Sequence, residues 1–208
     1  AKFVTYLCEQ VLPQLDVVGL LERGGLLQME LLRQLADLCV FYRPGNHVKK
    51  NISHIFDTMK NYMPLPPEDG QVEGFPFQDY SIVESLLLAF HRLGRHCPEF
   101  LTEDAEVLRD FRLRLQYFAR GVQSCLKSLK SDVNDAKNDD NKLKANSLKM
   151  ANNINTIIKD LFHTPPIYKT TIVPSWKSAE KTIKVANVPK VEPAAPVSVK
   201  RHAPITFD

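Results

Sequence analysis

The sequence holds little of what chemical catalysis requires. Its eight glycines form neither G-x-G-x-x-G nor G-x-x-x-x-G-K-[ST], so no phosphate cradle is encoded, and G-x-S-x-G and H-E-x-x-H are also absent. Histidines occur at 47, 54, 91, 96, 163 and 202. His91 and His96 do not share a helix face, and both read as rim or partly buried residues. Cys8, Cys39, Cys97 and Cys125 are scattered without a C-x-x-C, which argues against a disulfide framework or a zinc site and suits a reducing compartment. No catalytic residue, metal or other cofactor is expected. No run of about 18 apolar residues is present to span a bilayer. The first residues carry neither a basic n-region nor a cleavage site. The chain opens without Met and inside a helical pattern, as a piece of a longer protein does.

Charge of one sign is scarce as well. The net charge is +3, and residues 163–208 hold seven Lys or Arg against three acidic residues, leaving 20 against 21 before them. A near-neutral body does not demand a nucleic-acid-binding face, which would have to neutralise several phosphates.

What is present is helical periodicity. Six segments are predicted: 3–12, stopped or bent by Pro13; 26–42, with Leu27, Leu31, Leu35 and Leu38; one capped by Asn46 with Val48, Ile52, Ile55, Phe56 and Met59; 78–96, with Ile82, Val83, Leu86, Phe90 and Leu93; 102–130; and 140–162, with Leu143, Leu148, Ala151, Ile154, Ile158 and Leu161 inward. Pro64 to Pro76 reads as a loop, and 132–140 as a solvated turn. Short connections point to an all-α architecture, an α-solenoid or irregular bundle. The helical domain covers 1–163. Seven prolines follow in the last 46 residues, so 164–177 is expected to lie extended against the body and 178–208 to be a disordered tail.

The segment 102–130 is the longest uninterrupted pattern. Leu108, Phe111, Leu115, Phe118, Val122, Cys125 and Leu129 make one stripe, Thr102 is the expected cap, and Leu101 falls before it. A leucine zipper confines its apolar surface to one seam. Leu113 and Tyr117 lie nearly opposite the stripe, so a buried central helix is favoured over a zipper. The basic residues Arg109, Arg112, Arg114, Arg120, Lys127 and Lys130 spread around three sides and read as a solvated face with scattered salt bridges. Arg112, Arg120 and Lys127 are the candidates for meeting an acidic partner segment.

Several blocks, in order, resemble the apoptosis inhibitor 5 family, also called anti-apoptosis clone 11. They are Phe3-Val4-Thr5-Tyr6 with Cys8-Glu9-Gln10-Val11-Leu12-Pro13; Tyr62-Met63-Pro64-Leu65-Pro66-Pro67-Glu68; and Arg114-Leu115-Gln116-Tyr117-Phe118-Ala119-Arg120-Gly121. Asn152-Asn153-Ile154-Asn155, Ile158-Lys159-Asp160-Leu161-Phe162-His163 and Ser175-Trp176-Lys177 add to the match, which covers about residues 1–177. The resemblance implies the ARM-like second half of a HEAT/ARM solenoid: a nuclear, non-enzymatic, anti-apoptotic scaffold linked to mRNA export. The partners it implies are Acinus, basic fibroblast growth factor and a DEAD-box mRNA-export helicase, with the chain itself a monomer and without a small-molecule substrate or membrane contact. The family's leucine-zipper positions fall on Leu101, Leu108, Leu115 and Val122, where the last departs from leucine. The alternative is a direct RNA-binding helical module.

Overall fold

The computed structural model describes residues 2–43, 45–67, 77–131 and 138–177 and, within these, side chains other than those of 77–79, 129–131 and 138–143. The expectations for residues 68–76 of the loop, for 132–137 of the turn, for the tail from 178, and for the side chains of Leu129 and Leu143 lie outside this description. Among the described residues there is no strand.

The first helical run is longer than its sequence suggested. α1 (Lys2–Tyr6) passes through a π turn (Leu7–Val11) and a 3-10 turn (Leu12–Gln14) into α2 (Leu15–Gly19). Pro13 does not end the run, because it stands in the first turn of the 3-10 piece, where a missing N–H breaks no bond. Val4, Cys8, Leu12 and Leu15 keep one buried side across all four pieces. α3 (Gly24–Cys39), α4 (Val48–Tyr62), α5 (Phe77–Gly94), α6 (Ala105–Ser131) and α7 (Asn138–Phe162) follow.

Two predicted caps are corrected. His47, not Asn46, occupies the position before α4, and its side chain makes no capping bond. At α6 the Asp104 carboxylate accepts from the backbone N–H groups of Glu106 (2.8 Å) and Val107 (3.2 Å), while the Thr102 hydroxyl turns back to the Glu99 carbonyl (3.0 Å). Asp104 immediately precedes the first helical residue, and its carboxylate also meets the positive end of the helix dipole.

α5 packs against α3, α4 and α7, and α6 against α7, giving an ARM/HEAT-like α-solenoid. From Tyr80 to Gly94 every residue of α5 is buried except Arg92, which is half-buried. A helix enclosed on all sides is the fold's centre, and that place belongs to α5 rather than to α6 as expected. The reason is visible in the side chains: Ser81, Glu84, Ser85 and His91 gave α5 a polar face in sequence, yet all four are buried. α6 instead buries Phe111, Leu115, Tyr117, Phe118 and Val122 and leaves Leu113 42 % exposed.

Where α4, α5 and α6 converge, Phe56, Phe90, Phe100 and Phe111 form an aromatic cluster. Phe56 and Phe111 have centroids 5.0 Å apart, and Phe56 and Phe100 5.6 Å apart, in edge-to-face geometry. Such pairs contribute roughly 0.5–1.5 kcal/mol beyond the area they bury. Tyr80 meets Phe118 at 5.4 Å and extends the same packing along α6.

This arrangement separates a core helix from a zipper. Phe118→Ala is expected to destabilise the monomer by about 3–5 kcal/mol, the usual cost of deleting a buried ring, while Leu113→Ala stays within about 0.5 kcal/mol. Urea unfolding with size-exclusion chromatography checks this. A Phe118 variant of parental stability that merely loses partners would mean that the stripe seals against another chain.

Candidate functional site: the outer face of α6 and the carboxylate clasp

The family zipper positions and the candidate basic residues separate cleanly on α6. Leu101, Leu115 and Val122 are fully buried and Leu108 is half-buried among the neighbouring helices, Leu101 from the turn before α6. Arg109, Leu113, Gln116, Arg120 and Lys127 occupy the outward stripe and are exposed. Beside them a cavity of about 270 Å³ lies between α6 and the end of α7, lined by Leu108, Arg109, Arg112, Leu113, Gln116 and Phe162. Phe162 is 39 % exposed there. An apolar hollow rimmed by cations suits an acidic segment that also carries an apolar side chain.

The basic residues differ in their freedom. Arg112 Nη2 donates to the His163 carbonyl (3.1 Å) and the Thr164 hydroxyl (3.0 Å), closing the end of α7, so its head group is engaged within the chain. Arg114 does the same for α4: its Nη1 donates to the Met63 carbonyl (2.9 Å), while its Nε meets Asp110 (2.8 Å). Arg109 has a loose, exposed pair with Glu106 at 3.7 Å. Arg120 and Lys127 pair with no carboxylate among the described residues.

Sequence reasoning missed a second constellation. Residues 164–177 contain no helix and lie across α3, α5 and α7, held by three carboxylates. Asp160 of α7 accepts from His91 Nε2 (2.9 Å), the Thr170 backbone N–H (3.1 Å) and the Thr170 hydroxyl (2.9 Å). Glu84 of α5 accepts from Asn153 Nδ2 (2.7 Å), the Ser175 backbone N–H (3.0 Å) and the Ser175 hydroxyl. Asp37 of α3 accepts from Trp176 Nε1 (3.4 Å) and pairs with Lys177 (3.0 Å). Gly94 makes room for this crossing, since a β-carbon there would overlap the buried Tyr168 ring. The available signal was the company these acids keep: Glu84 follows Ile82-Val83 and, after Ser85, precedes Leu86-Leu87-Leu88, while Asp160 stands between Ile157-Ile158-Lys159 and Leu161.

An ionised carboxylate only accepts, so the proton between His91 and Asp160 is carried on His91 Nε2. Burial holds the His91 pKa below the ordinary imidazole value, against the opposing pull of Asp160, with Arg95 and Arg92 adding to the depression. For Asp160 burial acts upward but is outweighed by the bonds from His91 and Thr170, which hold it below the usual carboxylate value.

A family model described as Apoptosis inhibitory protein 5 (API5) matches residues 1–208. The chain belongs to that family. It is 45 % identical over 193 residues to Apoptosis inhibitor 5-B of Xenopus laevis, covering 87 % of this chain and 37 % of the relative. Apoptosis inhibitor 5 of Homo sapiens is 44 % identical over 192 residues, covering 86 % and 37 %. The Apoptosis inhibitor 5 homolog of Drosophila melanogaster is 36 % identical over 216 residues, covering 99 % and 38 %. The chain therefore spans well under half the length of these API5 relatives.

All four cysteines are free. Burial pushes the Cys8 thiol up to about 12 and the Cys97 thiol up to about 11, which keeps both protonated and poorly nucleophilic. Among the described residues no group of three or more His, Cys, Asp or Glu is placed to hold a metal ion, and no helix is long and apolar enough to cross a membrane.

The clasp makes stability pH-dependent with a fixed sign. A group whose pKa is lower in the folded chain contributes stability that is complete above the unfolded value and is lost as pH falls through the folded one. For His91 the loss begins below the ordinary value of 6.5, and for Asp160 below 3.8. The thermal midpoint is expected to fall between about pH 7 and about pH 5, each unit of His91 depression accounting for about 1.4 kcal/mol. His91→Gln, which retains an N–H donor, flattens that fall. Equal pH slopes in the parent and the variant would remove His91 from the explanation.

Proposed function

We propose that this chain is a non-enzymatic helical scaffold that docks protein partners, acting by occupancy rather than by chemistry. Family membership supports the anti-apoptotic part of the reading, since the relatives carry apoptosis inhibition in their names. The observation that carries the docking part is the outer face of α6, where Leu113 and Phe162 line a hollow and Arg120 and Lys127, farther along the same exposed stripe, stand free of carboxylates among the described residues. Stacked helices bury a continuous core and leave such faces available for recognition.

The finer assignments rest on the family resemblance. They are a nuclear location, with the cytoplasm as the alternative, a connection to mRNA export, and Acinus, basic fibroblast growth factor and a DEAD-box mRNA-export helicase as partners. Because the chain spans a little over a third of its relatives, partner binding by this part alone is itself a claim to be tested.

Biolayer interferometry with the immobilised chain and each purified partner provides the test, alongside a longer family member. At least one partner is expected to bind the chain itself, and Arg120→Glu with Lys127→Glu together weaken it about tenfold, or 1.4 kcal/mol, without changing the melting temperature. Binding to the longer protein alone would move the docking surface out of this chain. Tight, steeply salt-dependent binding of single-stranded RNA by residues 1–177 would favour the RNA-binding alternative.

A further inference from the structure

A cavity larger than the hollow beside α6 lies elsewhere among the described residues. A cleft of about 590 Å³ opens where α3, α5 and α7 meet, with Ser81 at α5, Leu26 and Met29 on α3, and Met150 on α7 among its walls. That volume lies within the range of roughly 300–1,000 Å³ found for ligand clefts. Leu26 is 67 % exposed at the rim. Two flexible thioethers face it, the kind of lining that adapts to more than one apolar guest.

The charge of the cleft has one sign. Arg23 and Arg33 both contribute to the lining, and no Asp or Glu does among the described residues. Arg33 lies over the Trp176 ring at 5.6 Å and donates a long bond to the Ser81 hydroxyl (3.3 Å), while its buried Nε finds no acceptor among the described residues. No carboxylate in the described lining offsets the Arg33 charge, so an acidic group entering the cleft meets an uncompensated cation. Arg23 adopts φ 59°, the left-handed conformation, although Gly24 and Gly25 stand next to it. Arg23 therefore holds a backbone conformation that favours glycine while its side chain lines the cleft.

We propose that this cleft receives a short acidic segment of a partner protein, seating a leucine-sized side chain among Leu26, Met29 and Met150 and placing its carboxylates on Arg23 and Arg33. The proposal rests on the scaffold reading and names a second docking surface for it. The chain's own residues after 177 have the wrong sign to be the occupant, since they carry Lys181, Lys184, Lys190, Lys200 and Arg201 against Glu180, Glu192 and Asp208. Nucleic acid is disfavoured too: two cations neutralise few phosphates, and one face of Trp176 is already covered by Arg33.

Fluorescence anisotropy with the whole chain tests the proposal. The probe is a labelled octapeptide with a leucine pair between acidic flanks, and its controls have lysine flanks or a serine pair. The acidic leucine peptide is expected to bind saturably, and each control about tenfold more weakly. Arg23→Glu and Leu26→Asp, both at exposed positions, are each expected to weaken it about tenfold while keeping the parental circular dichroism melt. Equal affinity for the lysine-flanked peptide, or affinity unchanged in both variants, overturns the proposal. Displacement of the peptide by oligouridine assigns the cleft to RNA, and peptide binding that vanishes when the chain sediments as a dimer assigns it to a second copy; either result also overturns it. If the peptide fails while Acinus or another partner still binds the chain, the cleft is wrong and the scaffold stands. If both fail, the scaffold reading falls with it.

Discussion

A helix closed in on every side has to satisfy each polar group it brings inside, and that constraint governs this molecule. α5 carries Glu84 and His91 into a core of leucines and phenylalanines, where an unpaired polar group costs several kcal/mol. Their partners come from elsewhere in the chain: Asn153 and Ser175 for Glu84, and Asp160 for His91. The non-helical residues 164–177 are therefore not an appendage. They supply donors without which the central helix would hold a carboxylate in an apolar interior, and Gly94 leaves them the space to pass.

The same constraint explains what could be read from the sequence. Apolar periodicity located all the long helices, because burying one stripe is a local property of spacing. The stripe through Phe111, Leu115, Phe118 and Val122 is of that kind. The centre of the fold was not legible, because α5 disguises itself as a surface helix: Ser81, Glu84 and Ser85 look solvated until residues 48 to 91 positions away close over them. Pro13 misled in the opposite direction, since a proline breaks a helix interior yet suits a first turn. Asp104 displaced Thr102 as the cap of α6 because position relative to the first helical residue decides between two capable side chains.

The candidate surfaces follow a similar division. Basic residues on α6 were visible as residues but not as environments: Arg112 and Arg114 spend their head groups closing the ends of α7 and α4, while Arg120 and Lys127 do not. The cleft between α3, α5 and α7 had no sequence signature, because its walls come from three helices and its charge from Arg23 in a turn and Arg33 well inside α3. Recognition surfaces of a solenoid arise between repeats, so they become visible only once the stacking is known.

The chain has a single tryptophan, and its position has a practical consequence. Trp176 is wedged between the Arg33 guanidinium and the Asp37 carboxylate, where the turn at residues 175–176 meets α3. All indole emission from this protein originates at that junction, so native fluorescence reports the docking of one short segment rather than an average over the whole molecule.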